Sequence, residues 1–193
     1  MTRILSYGPL LPDETALRLC GDPAGKRALE LGISRSMNAL ALAAAGAKSM
    51  AIDPDEQRIA ALRQAADAEG QRVECHHGDL ADLGWATSAS IDLAVAVGTL
   101  GRVEDLARVL RQVHRVLRPE APLVITTLHP ASGLADTDTP RRYGEGVRSV
   151  AEWYMALYRA NFRVDSLQEL FALGRPDARF PLALVMRARK LGV

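Results

Sequence analysis

Apolar runs alternate with helical stripes along this chain, and seven of the runs predict strands. They fall at 27–31, 49–52, 72–76, 91–97, 123–128, 162–170 and 182–189, each of strand length and bounded by turn residues. Helical patterns separate the first five. Between the fourth and fifth, Leu106, Val109, Leu110, Val113, Val116 and Leu117 recur at helical spacing and form one apolar stripe. Asp53-Pro54-Asp55-Glu56 predicts a helix start, with Asp53 as the capping acid and Pro54 in the first position, running to about residue 69 before Gly70. Ser149 and Glu152 have capping-box spacing and open another helix that ends near Asn161, while a short helix is expected from Pro12. Strands alternating with helices imply a parallel sheet with right-handed crossovers and helices on both faces. The last two strands are joined by about a dozen residues, too few for a long helix, so they should pair antiparallel.

Composition narrows the class without naming a function. At 193 residues and 48% hydrophobic the chain suits one α/β domain over 1–193. Lys+Arg and Asp+Glu nearly cancel at 24 and 23, so charge does not mark a nucleic-acid binder. The longest low-polarity run, 39–47, is too short to span a bilayer. Cys20 and Cys75 lack metal-ligand spacing and suit buried thiols in a reducing compartment. The expectation is a cytoplasmic protein without a metal and without nucleic acid as partner, with room for a homodimer.

The densest signal is residues 28–53, ALELGISRSMNALALAAAGAKSMAID. An apolar strand ends in Glu30-Leu31-Gly32, turns through a small-residue loop into an Ala-rich helix, and leaves by a second strand closed by Asp53. This is the order of a nucleotide-binding βαβ unit, and Asp53 lies where a carboxylate accepts both hydroxyls of a ribose. A helix cap is the competing role for that acid. The loop has one of the three glycines that a diphosphate's close approach requires, which disfavours a dinucleotide. An adenosine cofactor ending in an amino acid asks less of the loop, because the helix N-terminus can accept its carboxylate.

Taken in order, these landmarks resemble the class I S-adenosylmethionine-dependent methyltransferases, in particular their small-molecule, type 11-like branch. Glu30, Gly32, Ser34 and Ser36 sit on the acid and the three glycine positions of that family's first loop. Asp53, followed by Pro54, matches its ribose-binding acid, and Gly78-Asp79-Leu80 matches the segment whose acid faces the adenine amino group. Val97-Gly98-Thr99 looks like the loop after strand 4, and Arg115-Val116-Leu117-Arg118-Pro119 like the turn into strand 5. The resemblance covers about residues 25–190. It implies a Rossmann-like, doubly wound, seven-stranded sheet of order 3-2-1-4-5-7-6 with strand 7 antiparallel. It also implies S-adenosylmethionine as cofactor and methyl transfer by in-line displacement, with Glu30 helping to hold the methionine end.

Acceptor residues are less well marked. Two segments could cover the crevice: residues 1–20, carrying Tyr7, and the aperiodic linker 129–148, carrying Arg142 and Tyr143. His129, at the carboxyl end of strand 5, is the general-base candidate. The chain departs from the family pattern at Ser34 and Ser36, at Gly101-Arg102 after strand 4, and at Glu120-Ala121 after Pro119. These departures keep open a non-catalytic relative that retains the fold to bind a ligand or partner. A nicotinamide oxidoreductase is disfavoured by the loop and by the lack of a Tyr-x-x-x-Lys pair.

Overall fold

The computed structural model describes residues 3–135, 142–175 and 177–192. Its strands are β1 (Arg27–Leu31), β2 (Lys48–Asp53), β3 (Val73–His77), β4 (Leu93–Val97), β5 (Pro122–Leu128), β6 (Phe162–Leu170) and β7 (Ala183–Lys190). They form one sheet in the order β3-β2-β1-β4-β5-β7-β6. The first five are parallel, while β7 runs antiparallel to both β5 and β6. This is the expected doubly wound topology. Central β4 reads Leu-Ala-Val-Ala-Val with every residue buried, because helices cover both of its faces. Edge strand β6 alternates partly buried and exposed positions, as one covered face requires.

The helices are α1 (Glu14–Leu17), α2 (Asn38–Ala44), α3 (Glu56–Ala68), α4 (Leu106–Val116) and α5 (Val150–Arg159). Residues 3–20, α2 and α3 pack on one face of the sheet, where Tyr7, Leu42 and Val124 meet in one cluster and Leu40, Ile59 and Leu62 in another. On the opposite face, α4 turns its predicted stripe inward, and α5 adds Trp153 and Leu157. The Ser149–Glu152 capping box is formed in both directions. Burying Leu110, Val113, Trp153 and their neighbours supplies roughly 1.5 to 3 kcal/mol for each large side chain.

Two local expectations are corrected. Asp53 does not cap the helix that follows β2; Asp55 does, its Oδ1 accepting from Gln57 N at 2.9 Å. A residue before proline is pushed out of helical geometry, so Asp53 remains in the strand, paired with His77. The N-terminal helix begins at Glu14, capped by Asp13, and not at Pro12.

Candidate active site

Neighbouring strands run to opposite sides of β1 and β4, so the loops after these two strands open a crevice at their carboxyl ends. The loops touch. Gly32 has φ +71°, and a β-carbon there would lie 2.5 Å from Thr99 Cβ, so this position accepts only glycine. Thr99 also donates its hydroxyl to Leu31 O across the same contact. The crevice has two lobes of about 870 and 650 Å³, sharing Arg58, Gly98, Thr99, Thr127 and Leu128. Both lie within the roughly 300 to 1,000 Å³ of small-molecule sites. Gly32, Asp53, Pro54, Asp79 and Leu80 line the larger lobe, whereas Tyr7, Ser34, Ser36 and Val97 line the smaller.

Asp53 is buried at the end of β2. Its Oδ2 accepts from Ile33 N at 2.6 Å and its Oδ1 from Asp55 N at 2.8 Å. A carboxylate has about four acceptor sites, so these two bonds tie down the loop and leave capacity for ligand hydroxyls. Arg58, which sequence reading missed, stands 3.7 Å from Asp53 Oδ2 and lines both lobes. Its signal was the spacing Asp55-x-x-Arg58 on a helix face, which reads equally as a surface ion pair. Asp79 is exposed at the rim. One of its oxygens accepts from Ala81 N, and the other makes no bond among the described residues.

Glu30 lines neither lobe. Fully buried, it accepts from Ser34 N and Asn38 N at 3.1 Å, from Ser34 Oγ at 2.8 Å and from Ala39 N at 2.7 Å. Burial pushes its carboxyl up from the ordinary value, and the four hydrogen bonds oppose that rise. Because the N-cap of α2 is Met37, which offers no side-chain acceptor, Glu30 supplies the missing ones. This overturns one expectation: with its first N–H groups donated to Glu30, the N-terminus of α2 is not free to take a cofactor carboxylate.

The serines are accommodated, not strained. The loop's positive-φ positions are Gly32 and Met37, so neither Ser34 nor Ser36 occupies a backbone that demands glycine. Ser34→Gly removes the bond to Glu30 and adds unfolded-state entropy. We expect it to cost about 1 to 2 kcal/mol in urea denaturation without tightening ligand binding.

Of the acceptor-side candidates, only Tyr7 reaches the crevice. Its hydroxyl is bonded to Glu14 and lies 3.4 Å from Cys20 Sγ, and burial with these neighbours pushes it far above the ordinary tyrosine value. Its ring is a wall, and Asn38 fixes the segment by exchanging two 2.9 Å hydrogen bonds with the Ser6 backbone. His129 is buried away from both lobes. Its Nδ1 accepts from Ala131 N at 3.0 Å, so its Nε2 carries the proton and donates to Glu169 at 2.8 Å. Neither nitrogen has a free lone pair with which to take a substrate proton.

Arg142 and Tyr143 are exposed and line neither lobe, and residues 136–141 of the same linker lie outside the described residues. Beyond them, Gly146 and Val147 do line the larger lobe. They are anchored by Arg148, whose guanidinium donates to Leu100 O, Gly101 O and Val103 O while standing over the Trp153 ring. Three charge-assisted bonds to the loop after β4 make this residue its clamp. Arg148→Ala is expected to lower unfolding free energy by about 2 to 3 kcal/mol, and Arg148→Lys, lacking the planar fork, to recover less than half.

Comparison with known proteins agrees with this geometry. A family model described as a methyltransferase domain matches residues 29–125. A protein of Mycolicibacterium smegmatis named a probable S-adenosylmethionine-dependent methyltransferase is 29% identical over 166 residues, 84% of this chain and 63% of that protein. The 27-O-demethylrifamycin SV methyltransferase of Amycolatopsis mediterranei is 28% identical over 80% of this chain and 60% of its own length. The chain thus spans less than two thirds of these curated relatives. The crystal structure of an S-adenosylmethionine dependent methyltransferase from Mesorhizobium loti superposes with a TM-score of 0.75 at 26% identity, covering 91% of this chain and 96% of that one.

Proposed function

The chain belongs to the methyltransferase domain family, and from that premise we propose that it moves a methyl group from S-adenosylmethionine to a small-molecule acceptor. The observation that carries the reading is the larger lobe, in which Gly32 and Gly98 meet two carboxylates at the ends of β2 and β3. Asp53 keeps acceptor capacity there for ribose hydroxyls, and Asp79 has a free oxygen for an exocyclic amine. When bound, the cofactor supplies a methyl group made electrophilic by its sulfonium. The protein's part is to hold an acceptor about 3 to 3.5 Å from that methyl, in line, and such placement can account for much of the rate.

With its proton on Nε2 and its lone pair engaged, His129 braces β5 against β6 and is not assigned as the base. The smaller lobe, bounded by Tyr7, Leu11 and Leu128, is assigned to the acceptor, which moves Ser34, Ser36 and Val97 from the cofactor side, where the sequence placed them, to the acceptor side. The free thiols Cys20 and Cys75 fit a reducing, cytoplasmic setting, although Cys75 is only half-buried. No described helix is long and apolar enough to cross a membrane.

Calorimetric titration with S-adenosylhomocysteine tests the reading. Wild type is expected to bind it, and to bind NAD no better. Asp53→Ala should weaken binding about tenfold or more, since hydrogen bonds to a charged group are worth about 1.5 to 3 kcal/mol. A lowered Tm with unchanged affinity leaves Asp53 a loop tie and overturns its assignment. A wild type without affinity for S-adenosylhomocysteine returns the chain to the non-catalytic reading.

A further inference from the structure

Thr126 lies near the carboxyl end of β5, on the sheet face that Val124 shares, and lines the smaller lobe. It is 5% exposed, and its hydroxyl has no hydrogen-bond partner. Buried hydroxyls are seldom left so, because the lost bonds to water go unreplaced. Among the described residues two other buried side-chain polar atoms share this state, the indole nitrogens of Trp85 and Trp153. Both indoles pack with the core on the α4 and α5 face, so Thr126 is the one of the three that borders the crevice.

Of the other hydroxyls around this lobe, that of Tyr7 is engaged with Glu14, Ser34 Oγ with Glu30 and Thr99 Oγ1 with Leu31 O, while Ser36 and Thr127 also line it; Thr126 Oγ1 is the hydroxyl that is both fully buried and unpartnered. Leu11, Ile33, Met37, Val97 and Leu182 build the apolar part of the wall, and Arg35 and Arg58 stand on its loop and α3 side. Rotation about χ1 exchanges the methyl and hydroxyl of a threonine between staggered positions. A polar group entering the lobe can therefore be met by Oγ1 without any movement of the backbone.

We propose that the smaller lobe takes a ring-sized, largely apolar molecule carrying one hydroxyl or carbonyl, and that Thr126 Oγ1 is the side chain that hydrogen-bonds it. That this molecule is the methyl acceptor rests on the function proposed above; the hydrogen bond itself does not. An analogue without the polar group leaves the hydroxyl as unpaired as before.

The matched probes are 2-naphthol and 2-methylnaphthalene, which differ by a hydroxyl for a methyl. Titrated by ligand fluorescence against the full chain, with and without S-adenosylhomocysteine, 2-naphthol is expected to bind about five- to tenfold more tightly. Thr126→Val keeps the shape and removes the hydroxyl, so the preference should fall below about twofold, whereas Thr126→Ser should retain it. Because valine removes an unpaired polar atom, the Tm of Thr126→Val is expected at or above wild type, which separates lost recognition from lost folding. Absence of binding by either probe, equal binding to wild type, or a preference that survives Thr126→Val overturns the proposal. A loss of S-adenosylhomocysteine affinity beyond about threefold in Thr126→Val gives the hydroxyl to the cofactor and overturns it too. Naphthol preference without any S-adenosylhomocysteine affinity supports the Thr126 site and removes only the methyl-transfer reading.

Discussion

Glu30→Ala is expected to lower unfolding free energy by about 3 kcal/mol or more and to abolish S-adenosylhomocysteine binding in the protein that remains folded. The carboxylate is buried and satisfies two amides at the start of α2, one amide in the preceding loop and the Ser34 hydroxyl. Truncation leaves these donors facing a cavity, and each unpaired buried donor costs about 1 to 3 kcal/mol before water enters to relieve it. Glu30→Gln separates charge from geometry. It keeps one acceptor oxygen but turns an amide NH2 toward donors, so an intermediate loss is expected. Urea denaturation followed by circular dichroism reads both variants. A Glu30→Ala protein of wild-type stability that has lost ligand affinity alone would show that the carboxylate serves the ligand and not the loop.

Gly32→Ala is expected to be comparably damaging, for a different reason. The residue has φ +71°, and its new β-carbon would meet Thr99 Cβ at 2.5 Å and Cγ2 at 2.7 Å. Left-handed backbone costs a non-glycine residue about 1 to 2 kcal/mol, and the steric overlap adds to that because Thr99 is held by its own bond to Leu31 O. We expect a total near 3 kcal/mol and loss of S-adenosylhomocysteine binding, since relief requires the loops after β1 and β4 to part. The partner variant Thr99→Gly clears the contact but not the backbone term. In a double-mutant cycle it should therefore recover all but about 1 to 2 kcal/mol of the Gly32→Ala loss. A cycle without coupling would mean that the two loops do not press on each other.

Several misreadings of the site share one cause. His129 was legible as a histidine at the end of a strand, and it is one, but the strand's last turn buries it against Ala131 and Glu169. Glu169 lies 40 residues away on an antiparallel strand, so its meeting with His129 depends on how β6 and β7 register against β5. Asp53 was legible as the acid closing strand 2, yet its roles as cap and as strand end could be told apart only once the proline's effect on the preceding residue was seen in place. The serines looked like damage to a glycine loop. In three dimensions Ser34 completes a carboxylate's hydrogen bonds, and the positive φ falls on Gly32 and Met37 instead.

By itself the sequence determined the strand count, the helical stripe of α4, the capping box of α5, the antiparallel final pair and the two acids at the strand ends. These depend on periods of 2 and 3.6 residues, on caps and on chain order, all of which are local. Only the tertiary structure decided that Glu30 closes the loop, that Arg58 and Arg148 hold walls of the crevice, and that the buried Thr126 hydroxyl is left without a partner beside it. Each of those depends on which polar groups find partners across long separations in the chain. Pairing of buried donors and acceptors is a property of the packed whole, where one neighbour's bond removes another's capacity, and no local pattern encodes it.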